Sequence, residues 1–179
     1  WVKYPVIRLD MSEGGDTSFG IESYLNNKFK KYEKLYDVTL SKEDSLTVRF
    51  SNIIEAAYEK TGQRVAVLID EYDSPLQHSW NTSEHIGCTN VYRNVFAVLK
   101  SATKYEKFVF ITGITKFTQI SLFSVLNNLT NISFLPEYAT ICGITEQEVT
   151  EYFTEDISLS AGANGWTEQE SCSFFSRAI

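Results

Sequence analysis

The stretch Arg64-Val65-Ala66-Val67-Leu68-Ile69-Asp70-Glu71-Tyr72-Asp73 constrains the fold more than any other, because five consecutive apolar residues rich in Val and Ile run straight into two carboxylates. Such a run fits a strand buried on both faces of a parallel sheet, with Asp70 and Glu71 emerging at its carboxyl end. Open α/β sheets bind ligands along that edge. A strand that simply runs out into a polar loop is written with the same residues, so the flanking elements have to decide between the two.

Those elements alternate. Val6-Ile7-Arg8-Leu9-Asp10 after Pro5 reads as a strand, and Asp10 to Gly15 as the loop leaving it. From Ser18 to Tyr36 the apolar residues Ile21, Leu25, Phe29, Tyr32 and Leu35 recur at steps of three and four, with lysines on much of the other face, which predicts an amphipathic helix. Ser41-Lys42-Glu43-Asp44 is a plausible N-cap for a second helix over Lys42–Lys60, with Gly62 placed to end it. The strand Val65–Ile69 then returns to the sheet. Asp73 to Thr89, with Pro75, Gly87 and both histidines, reads as loop. Val91 to Tyr105 reads as helix, and Phe108–Thr112 as a third buried strand. Ile114 to Pro136 is expected to be loop around a short helix over Ser121–Asn128, and Glu137–Cys142 a weaker strand. Thr145-Glu146-Gln147-Glu148 and Thr167-Glu168-Gln169-Glu170 are capping boxes, so two helices are expected to close the chain.

Composition narrows the function. With 179 residues, 43% hydrophobic and 22% charged, the chain can bury one good core. A net charge of −7 argues against a surface built to hold nucleic-acid phosphates, and nucleic acid is expected only through a domain outside this chain. Cys88, Cys142 and Cys172 are scattered and read as reduced, packed thiols rather than a disulfide framework or a zinc site. No apolar run reaches membrane-spanning length and no leader is visible, so a cytoplasmic protein without membrane contact is expected. The start at Trp1, almost directly in a strand, reads as an excised piece.

An apolar strand ending in Asp-Glu has the form of a Walker B motif. In that class the aspartate holds Mg²⁺, usually through water, and the glutamate can polarise the water that attacks the γ-phosphate of ATP. Val67 to Leu76 resembles the Walker B region of the predicted AAA-ATPase-like family. Phe110 to Phe117 with Ser121 to Leu129 resembles that family's next block, and Tyr138 to Glu148 its third. The resemblance implies a three-layer α/β fold, a P-loop NTPase of the additional-strand class with sheet order 5-1-4-3-2. The strands here would be the second to the fifth, residues 1–142 a partial ATPase core, and residues 143–179 the first helices of a helical lid. It implies a bacterial protein, often fused to a nuclease domain of the PD-(D/E)XK type.

The chain departs from that family at one decisive point: no G-x-x-x-x-G-K-[ST] occurs. The phosphate loop and first strand are expected upstream, and this piece alone is expected to bind and hydrolyse ATP poorly. By matching motif positions Asp70 would hold the metal and Glu71 would be the base. Thr112, ending the neighbouring strand, would be a polar sensor of the γ-phosphate or its water, although a β-branched residue ending a strand is the plainer reading. Lys116 could reach a phosphate or be a solvated loop lysine. Arg93 and Arg177 could act as fingers or be surface residues. A rival metal site of Asp10, Asp70 and Asp73 and a histidine site of His78 and His85 are weaker alternatives. The expected function is magnesium-dependent ATP hydrolysis by the intact protein. The other class is a non-enzymatic nucleotide-sensing or protein-interaction scaffold controlling an attached nuclease. Expected partners are ATP and a client protein or further copies of the chain.

Overall fold

The computed structural model describes residues 2–39, 41, 44–114, 129–141 and 143–178. The chain divides into two compact units, one up to Leu129 and one from Thr130.

The first unit is built on three parallel strands, β1 (Val6–Asp10), β2 (Val65–Asp70) and β3 (Glu106–Ile111), in the order β1-β2-β3. This is the parallel neighbourhood expected from the three apolar runs. Ile7 lies opposite Val67 and Leu9 opposite Ile69, while Val67 faces Val109 and Ile69 faces Ile111. Strand side chains alternate in direction, so these six share one face of the sheet. Val6, Arg8 and Asp10 share the other face with Ala66, Leu68, Asp70, Phe108 and Phe110. The ladder between β2 and β3 is irregular at its start, where Val65 pairs with Glu106 but Ala66 already pairs with Phe108.

Helix α1 (Ser18–Tyr36) starts on Thr17, whose hydroxyl accepts the Gly20 amide at 3.0 Å, and buries Ile21, Tyr24, Leu25, Phe29, Glu33 and Tyr36. Helix α2 (Leu46–Thr61) buries Phe50, Ile53, Ile54 and Ala57, and its Phe50 ring stacks on Phe29 with centroids 5.2 Å apart. These side chains join Ile7, Leu9, Val67 and Ile69 in one core. Each fully buried large apolar side chain there contributes about 1.5–3 kcal/mol. The cap of α2 is Ser45 rather than the expected Ser41: the Ser45 hydroxyl takes the Val48 amide at 3.3 Å, while the Asp44 carboxylate closes a turn by accepting the Ser41 amide at 2.9 Å. Lys42 and Glu43 lie outside the described residues. Gly62 ends the helix in the left-handed conformation at φ 64°, as its position suggested.

Two hydroxyls of α1 finish the outer edge of β1. Tyr32 accepts the Arg8 amide at 2.8 Å and donates to the Arg8 carbonyl at 3.1 Å, and Tyr24 accepts the Asp10 amide at 2.7 Å. Backbone groups that a further strand would engage are thus satisfied by side chains.

The segment Asp73 to Thr89, expected as loop, is largely helical. Helix α3 (Ser74–His78) carries Pro75 in its first turn, where a missing N–H costs nothing, and α4 (His85–Phe96) begins well before Val91. Gly87, part of the expected loop, sits inside α4, where a Cβ would stand 3.1 Å from the Ser18 side chain; the bare backbone is what lets α4 approach α1. Helix α5 (Val98–Ser101) follows a break at Ala97, so the expected single helix to Tyr105 is two shorter ones. The helix expected over Ser121–Asn128 lies outside the described residues.

In the second unit the strand expected over Glu137–Cys142 is replaced by a 3₁₀ turn, Pro136–Tyr138, followed by further turns; Cys142 lies outside the described residues. The Tyr138 amide bonds the Leu135 carbonyl, Ala139 bonds Pro136, and Ile141 bonds Tyr138, so local i→i−3 bonds consume the groups that a ladder would need. Three helices follow instead of two: α6 (Glu146–Tyr152), α7 (Thr154–Asn164) and α8 (Glu168–Ala178). Both capping boxes form. Thr145 and Glu148 exchange hydrogen bonds at 3.2 and 2.8 Å, and Thr167 and Glu170 do the same at 3.2 and 2.8 Å. The break between α6 and α7 falls at Phe153, whose backbone leaves the helical region at φ −113°, and the Thr154 hydroxyl returns to the Thr150 carbonyl at 2.7 Å.

Candidate functional site at the carboxyl edge of the sheet

β2 ends at Asp70, and the chain reverses at once. Glu71 adopts φ 47°, a left-handed backbone that a side chain with Cβ occupies at a cost of about 1–3 kcal/mol. That turn lets the Tyr72 amide bond the Thr112 carbonyl at 3.0 Å, while the Thr112 amide bonds the Ile69 carbonyl at 2.9 Å, carrying the β2–β3 contact past the last ladder pair. The Thr112 hydroxyl is thereby brought onto Asp70 and donates to its Oδ1. The Glu71 amide donates to the same oxygen at 3.2 Å. Asp70 Oδ2 faces the Arg8 guanidinium of β1 at 3.4 Å, with the two side chains 63% and 44% exposed for arginine and aspartate. The Thr112 hydrogen bond, with the Glu71 amide and Arg8 adding to it, holds the Asp70 carboxyl below its ordinary pKa, so it is ionised at neutral pH. The Glu71 side chain is exposed.

Behind this edge the packing is tight. A Cβ on Gly113 would meet Asp73 Oδ1 at 2.4 Å and the Tyr72 ring at 2.5 Å, so only glycine fits where the chain leaving β3 crosses the turn after β2. Asp73 is 2% exposed, accepting the Ile114 amide at 3.3 Å and the Gln77 side-chain amide at 2.5 Å. It pins the turn rather than facing a ligand.

The structure therefore brings Asp70, Glu71 and Thr112 together. Asp10 stands beside Asp70 in register, but its Oδ1 accepts the Ser12 amide at 3.2 Å and hydroxyl at 2.6 Å, capping the 3₁₀ turn Met11–Gly14. Among the described residues no three Asp, Glu, His or Cys side chains form a group able to hold a metal, which removes the Asp10, Asp70 and Asp73 triad. His78 Nδ1 lies 3.4 Å from the Ser74 hydroxyl and His85 Nδ1 lies 3.3 Å from that of Ser79. Arg93 belongs to the last turn of α4, while Lys116 and the Arg177 side chain lie outside what is described. Cys88 is buried and its thiol is pushed up by that burial, as a packed thiol should be.

Arg8 is the site residue that strand reading passed over. Its signal was the alternation along β1, which puts Arg8 and Asp10 on one face, together with the parallel pairing of that strand to β2.

An α/β unit with a parallel sheet and a carboxylate pair at its carboxyl edge is the class of protein these observations define. Comparison narrows it: residues 1–123 match the family described as Predicted AAA-ATPase, and the chain belongs to that family. It is also similar to the "Uncharacterized protein in vnfD 5'region" of Azotobacter chroococcum mcd 1, at 36% identity over 110 residues, 61% of this chain and 21% of that protein. The chain thus spans about a fifth of that relative's length. No solved structure matches it. No helix among the described residues is long and apolar enough to cross a membrane.

Proposed function

We propose that this chain carries the metal and water-activating half of a magnesium-dependent ATPase site, with the phosphate grip supplied by another part of the intact protein. The observation that carries the reading is the set of three groups at one strand edge: an ionised Asp70, Glu71 held next to it in a left-handed turn, and Thr112 across the β2–β3 seam. Mg²⁺ takes hard oxygen ligands, keeps several waters and commonly uses only one or two carboxylates. A lone exposed carboxylate such as Asp70 suits that ion better than one demanding an all-protein cage. Asp70 would hold the hydrated Mg²⁺, which when bound would neutralise charge on the phosphates.

Glu71 would take the proton from the attacking water, as its exposed carboxylate permits. Thr112 gives its hydroxyl proton to Asp70, so what it has left to offer is an oxygen lone pair. It would therefore hold the attacking water or fix Asp70 rather than donate to a phosphate. Strain at Glu71 supports the assignment, because costly backbone conformations persist where function needs them.

The test uses the full-length protein. Glu71→Gln should retain ATP binding and lose turnover by at least about 100-fold, since it removes the base and keeps the metal site. Asp70→Asn should also weaken Mg²⁺-dependent nucleotide binding. Unchanged turnover in both variants refutes the assignment.

A further inference from the structure

The carboxylate proposed to meet the cation already has a cationic partner. Asp70 Oδ1 is committed to the Thr112 hydroxyl and the Glu71 amide, which leaves Oδ2 as the open oxygen, and Arg8 Nη2 stands 3.4 Å from it. A hydrated divalent ion approaching Oδ2 meets the guanidinium first. We propose that Arg8 is a resident counter-ion of Asp70 that a divalent cation must displace, so that this arginine sets how tightly the edge takes its metal. The inference rests on Asp70 being the metal carboxylate.

Three features make Arg8 an exchangeable placeholder. The contact is single, long and solvated, and exposed pairs of this kind hold weakly and yield to competing ions. The Arg8 backbone is clamped at both its N–H and its C=O by the Tyr32 hydroxyl, so release moves the side chain alone and leaves β1 in place. The side chain also has somewhere to go. Arg8 lines a cavity of about 410 Å³ together with Asp10, Glu13, Lys28 and Lys31, and carboxylates in that cavity can receive the displaced charge. Glu13 already holds Lys28 at 3.1 Å there. Metal entry and the rearrangement of this cavity are then one event.

Mn²⁺ is the probe, titrated against the free-ion electron paramagnetic resonance signal at low ionic strength, with no nucleotide present. Arg8→Gln should bind Mn²⁺ about two- to five-fold more tightly than wild type, the range expected for losing one exposed ionic competitor. Arg8→Lys should stay near wild type, and raising the salt should shrink the difference. Lys31→Gln removes the same charge from the same cavity without touching Asp70 and should leave the affinity unchanged. Asp70→Asn should abolish the gain. Equal affinities for wild type and Arg8→Gln, or an equal gain in Lys31→Gln, overturn the counter-ion role while leaving Asp70 as the metal carboxylate. Absence of Mn²⁺ binding in both wild type and Arg8→Gln overturns the counter-ion inference, which needs a cation to enter when Arg8 leaves; the nucleotide-linked metal role is judged separately by the Asp70→Asn turnover test.

Discussion

Among the described residues of the first unit, two arginine–carboxylate pairs are of opposite character. Between α1 and α2, Arg49 grips Glu33 with two bonds, Nε to Oε1 at 2.6 Å and Nη2 to Oε2 at 3.0 Å, and the two residues are 7% and 4% exposed. Asn26 accepts a further Arg49 bond, and the guanidinium lies 5.9 Å from the centre of the Phe29 ring. At the sheet edge, Arg8 and Asp70 share one contact of 3.4 Å in the open. The same chemistry is a fixture in one place and a placeholder in the other. Desolvation makes the difference: a buried charge cannot lose its partner without facing an apolar surrounding, whereas an exposed one exchanges its partner for water at little cost.

Breaking the buried pair is the most severe test of that contrast. Glu33→Gln or Arg49→Met alone should cost about 3–5 kcal/mol in urea unfolding, because each strands the other charge. The double variant Glu33→Leu with Arg49→Met should lose much less than the sum of the two. Single losses below about 1 kcal/mol would place the buried pair in the same class as the exposed one.

Glu106 shows what a buried carboxylate becomes without an arginine. It is 8% exposed, its Oε1 has no hydrogen-bond partner, and burial pushes its pKa from 4.5 up to about 7. The native state then keeps a proton that the unfolded chain releases, so stability should fall as pH rises from about 4.5 to about 7 and level off above. Glu106→Gln should flatten that slope and raise the melting temperature at pH 8 more than at pH 4.5. Equal shifts at both pH values would show that Glu106 ionises as freely as a solvated glutamate.

Gly113→Ala tests how rigid the wall behind Asp70 is. The new methyl must push Asp73 or Tyr72 aside, which should cost about 1–3 kcal/mol by denaturant titration. At Glu71 the sign reverses. Glu71→Gly should stabilise the fold by up to about 2 kcal/mol, the relieved left-handed strain of about 1–3 kcal/mol less the roughly 0.5–1 kcal/mol of extra chain entropy that glycine carries. The smallest effect belongs to Arg8→Gln, whose unfolding free energy should stay within about 0.5 kcal/mol of wild type.

What could be read in the residues was whatever periodicity and end-capping write locally. The three strands, the span of α1 and the two Thr-x-x-Glu boxes all rest on patterns complete within a few residues, and the parallel order followed from the alternation of strand and helix. The Glu33–Arg49 pair escaped because it depends on two helices meeting. A trace of it was present all the same, since Glu33 continues the stripe Ile21, Leu25, Phe29 and Arg49 precedes Phe50 and Ile53 on the apolar side of α2. Gly87 and Pro75 misled for a related reason: both act as breakers in isolation, yet one enables helix contact and the other sits where a helix begins. At the site, Asp70 and Glu71 stood out through their place after an apolar run, but the bond from Thr112 and the approach of Arg8 depend on how neighbouring strands line up. That alignment lies between segments and is not written in any one of them.

The tyrosines along β1 give the sheet a direction. Tyr32 answers both the donor and the acceptor of Arg8, as a residue on an adjoining strand would, and Tyr24 occupies the next outward amide at Asp10. On that side the sheet is sealed by its own helix, and an incoming strand would have to evict two hydroxyls and lift α1 away. Among the described residues β3 is paired on one side only. The outer flank of β3 is therefore the side on which the described sheet can accept a further strand, and such a strand would lie across β3 from β2.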